Sequence, residues 1–395
     1  MPPSELISVP PPRRPPKVER GREVWLQGAK VVALLCAFLI GIRGLGTGFK
    51  GLGHDLLQNF FQATDNPFVG LVVGILATTL VQSSSVTTSM IVALVAAPED
   101  ALPIQNAVPM VMGANIGTTV TNTIVSLGHA ARPAEFRRAF AAATCHDFFN
   151  FIAVAVLLPL ELLTGYLTKA SALLASAIGS GGGPGKLPNP IKTGSKAAVD
   201  QLESLLGVLS SNPKVLAVLL IVVSAAIIFS ALVLIVRTLR ALTETRLKVF
   251  ITRSLDKSPY IGMIVGMIVT VMVQSSSITT SLMVPLAAAG IVTLRQVFPI
   301  CIGANIGTTV TALLASMAAP AETAHLAVQI AIVHLLFNLS GTLLVYPTEA
   351  IRNLPLRGAT WLAGVAARSR RTAILYVLAL FYGVPALLIT ISKAF

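Results

Sequence analysis

Residues 81 to 89 read VQSSSVTTS, and residues 273 to 281 read VQSSSITTS. Each is a glutamine followed by a cluster of hydroxyls inside an otherwise apolar stretch. On a continuous helix consecutive side chains point about 100° apart, so such a cluster would turn hydroxyls towards lipid on most faces. An unwound tip lining a cavity removes that problem. A lone serine in an apolar helix is ordinarily a packing residue. A glutamine, three serines and Thr-Thr-Ser, all present twice, point instead to a site.

The surrounding composition fixes the class. Of the 395 residues 54% are hydrophobic and 11% charged, and the mean hydropathy is +0.80, which marks an integral membrane protein. Apolar stretches long enough for the roughly 20 residues of a spanning helix recur along the chain. Helices satisfy every backbone amide within the segment, so an all-α polytopic membrane protein embedded in a lipid bilayer is expected. The net charge of +13 is distributed between apolar segments rather than gathered on a soluble basic domain. It therefore reports membrane orientation and not a nucleic-acid partner. Cys36, Cys145 and Cys301 lie in or beside apolar segments without metal-type spacing, which argues against a disulfide framework and a transition-metal site.

The apolar and polar stretches divide the chain. Residues 1–23 form a basic, Pro-rich tail expected to be disordered, without a signal-peptide pattern. Residues 24–64 hold a first transmembrane helix and an amphipathic segment, 65–170 a first repeat, and 171–213 an extracytoplasmic linker containing GSGGGPGKLPNPIKTGSK. A connecting helix and a basic cytoplasmic segment follow at 214–257, a second repeat at 258–352, and a C-terminal segment with one transmembrane helix at 353–395.

The repeat is explicit. Residues 67–97 align with 259–289 without a gap, with 17 identities in 31 positions. GANIGTTVT occurs at 113–121 and 303–311, and His-x-x-Phe-Asn at His146–Asn150 and His334–Asn338. The offset falls from 192 to 190 to 188, so the order of elements is kept while two loops change length.

Lys and Arg number six up to Lys30, three in 128–138, six in 237–257 and five in 350–371, whereas 98–103 and 318–325 carry only acidic charges. Placing all four basic regions on the cytoplasmic side requires each QSSS segment to enter and leave by one face. The expected architecture is therefore two inverted-topology repeats, each with a re-entrant helical hairpin carrying QSSS, a transporter pattern. Parity puts the C-terminus outside.

Segments 67–97, 259–289, 103–127 and 296–317 contain no Lys, Arg, Asp or Glu. A doubly charged anion held there would meet half-helix N-termini worth about half a charge each. Two of them leave a dianion only partly balanced, and bound cations are the natural remainder. Carbonyl and hydroxyl oxygens of the GANIGTT elements suit a hard cation such as sodium, although their glycines also form a GxxxG packing pattern. For His146 and His334, and for Asn150 and Asn338, hydrogen bonding inside the bundle is the favoured reading over proton sensing. Asp147, uncopied in the second half, reads as either a sodium ligand or an interfacial charge.

The twin QSSS elements, the twin GANIGTT elements and the run RRAFAAATCHDFFNFIAVAVLLPLE resemble the type II sodium-dependent phosphate cotransporters, over about 67–165 and 259–350. The resemblance implies secondary active, sodium-coupled uptake of inorganic phosphate by alternating access, with Na+ as coupling ion and no cofactor. It implies phosphate binding by Ser83, Ser84, Ser85, Ser275, Ser276 and Ser277. Gln82, Thr87, Thr88, Asn115, Thr118, Thr119 and their copies Gln274, Thr279, Thr280, Asn305, Thr308, Thr309 become candidates for sodium binding or for holding the hairpin tips. Animal members of that family carry a glycosylated, disulfide-bonded loop between the halves. Here the linker has neither cysteine nor sequon, which favours a multi-pass protein of a bacterial inner membrane; the oligomeric state stays open, a homodimer included. A carrier for another small anion (sulfate, arsenate or a carboxylate) and an anion channel remain alternatives. An enzyme is disfavoured, since no Gly-x-Ser-x-Gly and no duplicated base accompany the serines.

Overall fold

The computed structural model describes residues 17–52, 62–98, 101–180, 190–255 and 258–392. Among them the regular elements are helices: α1 (Lys17–Gly51), α2 (Pro67–Val81), α3 (Ser84–Val95), α4 (Ile104–Gly117), α5 (Val120–Leu127), α6 (Pro133–Thr164), α7 (Tyr166–Ser180), α8 (Pro190–Gly207), α9 (Pro213–Leu255), α10 (Pro259–Val273), α11 (Ser276–Ala288), α12 (Leu294–Ser316), α13 (Ala324–Val345), α14 (Glu349–Arg368), α15 (Arg370–Leu378), a π-helical turn (Ala379–Gly383) and α16 (Val384–Ser392). Five segments are long and apolar enough to cross a membrane: Leu26–Gly51, Pro133–Thr164, Pro213–Ile235, Leu294–Ser316 and Ala324–Val345. The chain is an all-α, multi-pass membrane protein.

Local signals set the helix starts. Proline opens α2, α6 and α10 at a position whose N–H has no partner anyway. The Asn66 side chain caps α2 by accepting from the Phe68 amide at 2.9 Å. The QSSS-bearing helices are short: α2 and α10 have 15 residues each, α3 has 12 and α11 has 13. At 1.5 Å per residue none reaches the roughly 30 Å of a hydrocarbon core.

Glycines decide how these helices pack. A Cβ on Gly113 would lie 2.0 Å from the Leu71 carbonyl oxygen, and one on Gly74 equally close to that of Met110. In the second copy a Cβ on Gly303 would meet the Met263 oxygen at 1.8 Å. Backbone therefore touches backbone along α2/α4 and along α10/α12. The contacts advance together, Leu71 with Gly113 and Ile75 with Gly117, Met263 with Gly303 and Met267 with Gly307. The paired helices thus run parallel, and α3 and α11 must carry the chain back between them. At the open end of the first unit, Asn106 Nδ2 donates to Thr64 Oγ1 at 3.3 Å and to Asp65 Oδ1 at 2.8 Å, while the Leu102 amide reaches the Leu94 carbonyl at 3.1 Å. The start of α2 and the end of α3 therefore meet the same loop. α1 and α9 pair by the same device, Gly41, Gly44 and Gly48 admitting Ile228, Ser224 and Ile221.

The architecture departs from the sequence reading in three places. Residues 17–23 of the supposed tail are the first turns of α1, and 1–16 lie outside the described residues. The amphipathic segment before Thr64 falls largely outside them too, at 53–61. The region 171–213 is not a plain linker, because α7 extends to Ser180 and α8 occupies Pro190–Gly207. The basic segment after 236 continues the span before it, since the good helix formers of RTLRALTETRLKVF leave α9 uninterrupted to Leu255.

Gly113→Leu and Gly303→Leu are each expected to abolish the folded monodisperse species in detergent, read by size-exclusion chromatography. Gly28→Leu, where a Cβ meets nothing within 4 Å, should leave the profile unchanged.

Candidate functional site

Both QSSS elements break the helix at the glutamine. Gln82 (φ 58°) and Gln274 (φ 55°) are the non-glycine residues with positive φ among the described residues. A left-handed residue with a side chain costs roughly 1–2 kcal/mol. Two side-chain hydrogen bonds of about 0.5–1.5 kcal/mol each offset that cost: Nε2 of Gln82 donates to the Thr79 carbonyl and its Oε1 accepts from Thr121 Oγ1 at 2.9 Å. Gln274 repeats the pattern with the Val271 carbonyl at 2.7 Å and Thr311 Oγ1 at 3.0 Å. Ser83 and Ser275 follow in extended conformation and cap the next helix, each Oγ accepting at 3.4 Å from the Val86 or Ile278 amide. Each unit therefore presents a helix N-terminus at its tip.

The hydroxyls divide into two chemical kinds. Thr87, Thr88, Thr118, Thr119, Thr279, Thr308 and Thr309 all donate to backbone carbonyls of their own helices. Their hydrogens are spent, and only oxygen lone pairs face outward. Ser84, Ser85, Ser276 and Ser277 make no protein hydrogen bond through their hydroxyls among the described residues, so they retain O–H donors. Ser84, Ser85 and Ser276 are buried, and Ser277 is half-buried.

The two tips are joined through adjacent residues of α5. Thr121 bonds Gln82 of the first unit, and its neighbour Asn122 accepts at Oδ1 from Thr280 Oγ1 at 3.0 Å and Ser281 Oγ at 2.9 Å of the second. The far ends are tied across the halves as well. Thr323 Oγ1 donates to the carbonyl of Ala96, the C-cap of α3, at 2.7 Å. Arg138 donates from Nε to the Ala288 carbonyl at the end of α11 at 2.9 Å. Each second arm is thus closed by a residue of the other half.

The GANIG asparagines sit beneath the tips. His146 Nε2 meets Asn305 Oδ1 at 2.6 Å, Asn305 Nδ2 donates to Asn150 Oδ1 at 2.9 Å, and Asn150 Nδ2 donates to the backbone carbonyl of Asn115 at 2.9 Å. The last bond has a structural consequence. In an unbroken helix the Asn115 carbonyl would accept from the Thr119 amide; here that amide turns to Ile116 at 3.4 Å, and the helix breaks at Thr118–Thr119. The identical sequence at 303–311 stays helical throughout α12. There the counterpart bonds are unmade. Both ring nitrogens of His334 and Oδ1 of Asn338 lack a hydrogen-bond partner, Asn338 Nδ2 returns to the His334 carbonyl at 3.0 Å, and Asn115 Nδ2 bonds Val111 within its own helix at 2.9 Å. The tips differ in the same way: Thr270 donates to Thr279 at 2.8 Å, whereas the equivalent Thr78 hydroxyl has no partner.

The structure links Asn305 to His146 and Asn150, which holds the Asn115 carbonyl, and ties Gln82 and Thr280 to adjacent residues of α5. His146 is hydrogen-bonded within the bundle as expected, and His334 is not. Asp147 is buried and accepts from the Tyr376 hydroxyl of α15 at 2.7 Å. The sequence reading missed Asn122 and Ser281 as the link between units. Asn122 stands where the second copy has Ala312, and a search guided by duplication passes over a residue present once. Asn122→Ala removes the acceptor of the half-buried Ser281 hydroxyl and the tie to Thr280, whose hydroxyl keeps the Ser276 carbonyl at 2.8 Å. It should lower stability by about 1–3 kcal/mol, read as a lower thermal midpoint, whereas Ala312→Asn should not restore it.

A family model described as Na+/Pi-cotransporter matches residues 37–173 and 227–354, a stretch that includes both QSSS units. The chain is similar to sodium-dependent phosphate transport protein 2A of Mus musculus, at 33% identity covering 98% of this chain and 70% of the relative. The corresponding protein of Ovis aries is 32% identical over 96% of this chain and 70% of its own length. Sodium-dependent phosphate transport protein 2B of Homo sapiens is 30% identical over 92% and 65%. No solved structure matches. Two duplicated polar units, tied to each other inside an all-α membrane bundle, are what this likeness covers, and the chain belongs to the Na+/Pi-cotransporter family.

Proposed function

We propose that this chain couples sodium to the uptake of inorganic phosphate across a membrane, by exposing one central site alternately to each side. The observation that carries the reading is the link Gln82–Thr121, Asn122–Thr280, which joins the two QSSS tips inside the bundle. The family adds the substrate, as its members named above are sodium-dependent phosphate transport proteins. That class of activity is transport and not catalysis.

In this reading the two halves are inverted repeats and the QSSS units are re-entrant. The short helices and the return of each unit to its starting end support it. Phosphate is held by Ser83, Ser84, Ser85, Ser275, Ser276 and Ser277, whose free O–H groups and helix-end amides suit an anion. Sodium is held by oxygen lone pairs from Gln82, Thr87, Thr88, Asn115, Thr118 and Thr119 and from Gln274, Thr279, Thr280, Asn305, Thr308 and Thr309; the hydroxyls of Thr87, Thr88, Thr118, Thr119, Thr279, Thr308 and Thr309 donate to nearby backbone carbonyls and leave lone pairs free. The helices that carry these groups provide no formal charge, and two helix N-termini offset only about one negative charge. Sodium supplies the rest, which makes coupling obligatory. A bacterial inner membrane is the proposed location.

The asymmetry between the halves supplies the motion. Inverted copies exchange conformations when the open side changes. The opposite state then has His334 on Asn115, Asn115 on Asn338, and Asn338 Nδ2 on the Asn305 carbonyl, with α12 broken at Thr308–Thr309 and α4 joined to α5. α13 already packs against α4, so the exchange needs local rearrangement and no new helix contacts. Leaving His334 and Asn338 unpaired costs about 1–3 kcal/mol per group, comparable in both states by symmetry, which keeps them close in energy.

Uptake of labelled phosphate into vesicles should fall to background when sodium is replaced by choline; uptake that persists in choline, or that sulfate abolishes while phosphate does not compete, contradicts the reading. Ser84→Ala and Ser276→Ala remove hydrogen bonds to a charged ligand worth about 1.5–3 kcal/mol each. Each should therefore cut uptake roughly ten- to hundredfold without moving the thermal midpoint, and unchanged uptake in both would remove the serines from the site.

A further inference from the structure

A second feature lies away from the QSSS tips. The N-terminal turns of α6 and α12 and one face of α14 enclose an open cleft of about 830 Å³. Arg137, Arg295, Arg357 and Arg368 all line it, and no carboxylate does. None of the four guanidiniums has a hydrogen-bond or ion-pair partner among the described residues. Four like charges left unpaired around one cavity repel one another, and only an anion would relieve them.

The rest of the lining is mixed: Thr293, Asn353 and Thr360 are polar, Leu294 and Val365 are partly exposed apolar residues, and Trp361 stands at the rim with 67% of its surface exposed. α14 explains the arrangement. Its positions 353, 357, 360, 361, 364 and 368 recur at helical spacing on the cleft face, while Pro355, Ala359, Leu362, Ala363 and Ala366 are buried, and the buried Leu356 lies at the boundary between the two faces. An exposed tryptophan beside arginines on an amphipathic helix belongs at headgroup depth. Two of the three segments that form the cleft, 128–138 and 350–371, are basic regions that the sequence reading places on the cytoplasmic face, the side on which anionic lipids concentrate.

We propose that this cleft binds the headgroup of an anionic phospholipid, its phosphate on the arginines and its acyl chains along Val365 and the exposed Trp361. A soluble polyanion would match the arginines but leave Trp361 in water. The site adjoins the transport helices: a Cβ on Gly358 of α14 would lie 2.8 Å from the ring of Phe148, one residue past Asp147 on α6. An occupied cleft therefore clamps α14 onto the helix that bears His146 and Asn150. The binding claim itself is independent of the transport reading.

The test uses the full chain in neutral detergent with Trp25→Phe, so that Trp361 is the fluorescent reporter. Dioctanoyl phosphatidylglycerol should change its emission saturably, and dioctanoyl phosphatidylcholine should not. Arg295→Gln, Arg357→Gln and Arg368→Gln combined should weaken phosphatidylglycerol binding at least tenfold. Arg368→Gln alone should weaken it severalfold, which provides a reading if the triple variant does not fold. Equal response to both lipids, wild-type affinity in the variants, or inorganic tripolyphosphate binding as tightly as phosphatidylglycerol would each overturn the proposal.

Discussion

The amide of Asn150 takes the carbonyl of Asn115 away from its own helix, and much of the structure is organised around that bond. It breaks the first GANIGTT helix at Thr118–Thr119. It also positions Asn150 Oδ1 to receive Asn305, and Asn305 to meet His146. In a lipid-embedded bundle a polar group without a partner is costly, and under the proposed exchange these side chains alternate between bonded and unbonded settings. The sequence provides two copies of the set, and this structure satisfies one of them.

Glycine makes such a switch possible. Where α2 lies on α4 and α10 on α12, backbone meets backbone with no room for a Cβ, so each of these pairs is closely packed. The second arms α3 and α11 belong to the opposite half by their contacts, closed by Thr323 and Arg138. A rearrangement at the asparagines is therefore transmitted to both tips, through Thr121 and Asn122 on one side and through Thr270 and Thr279 on the other.

Much of this could be read from residues alone. A cluster of hydroxyls cannot sit on an intact lipid-facing helix, so the break at QSSS was legible, and the second copy made the pairing of halves legible too. Three things were not. Glutamine has no preference for left-handed backbone, and its φ near 55–58° depends on Thr121 and Thr311, contacts that arise only after folding. Asn122 has no copy, so duplication could not reveal it. The asymmetry is invisible in principle, because GANIGTTVT is the same string at both places and only tertiary context breaks one helix and spares the other.

The central claim is that the made and unmade sets of bonds exchange. Disulfide trapping tests it most directly, with Cys36, Cys145 and Cys301 replaced and cysteine pairs introduced at 146 and 305 or at 115 and 334. The account predicts that the two pairs respond oppositely to an imposed sodium and phosphate gradient, one cross-linking more readily as the other declines. If both pairs close under the same condition, or if the 115–334 pair never closes, the exchange does not occur.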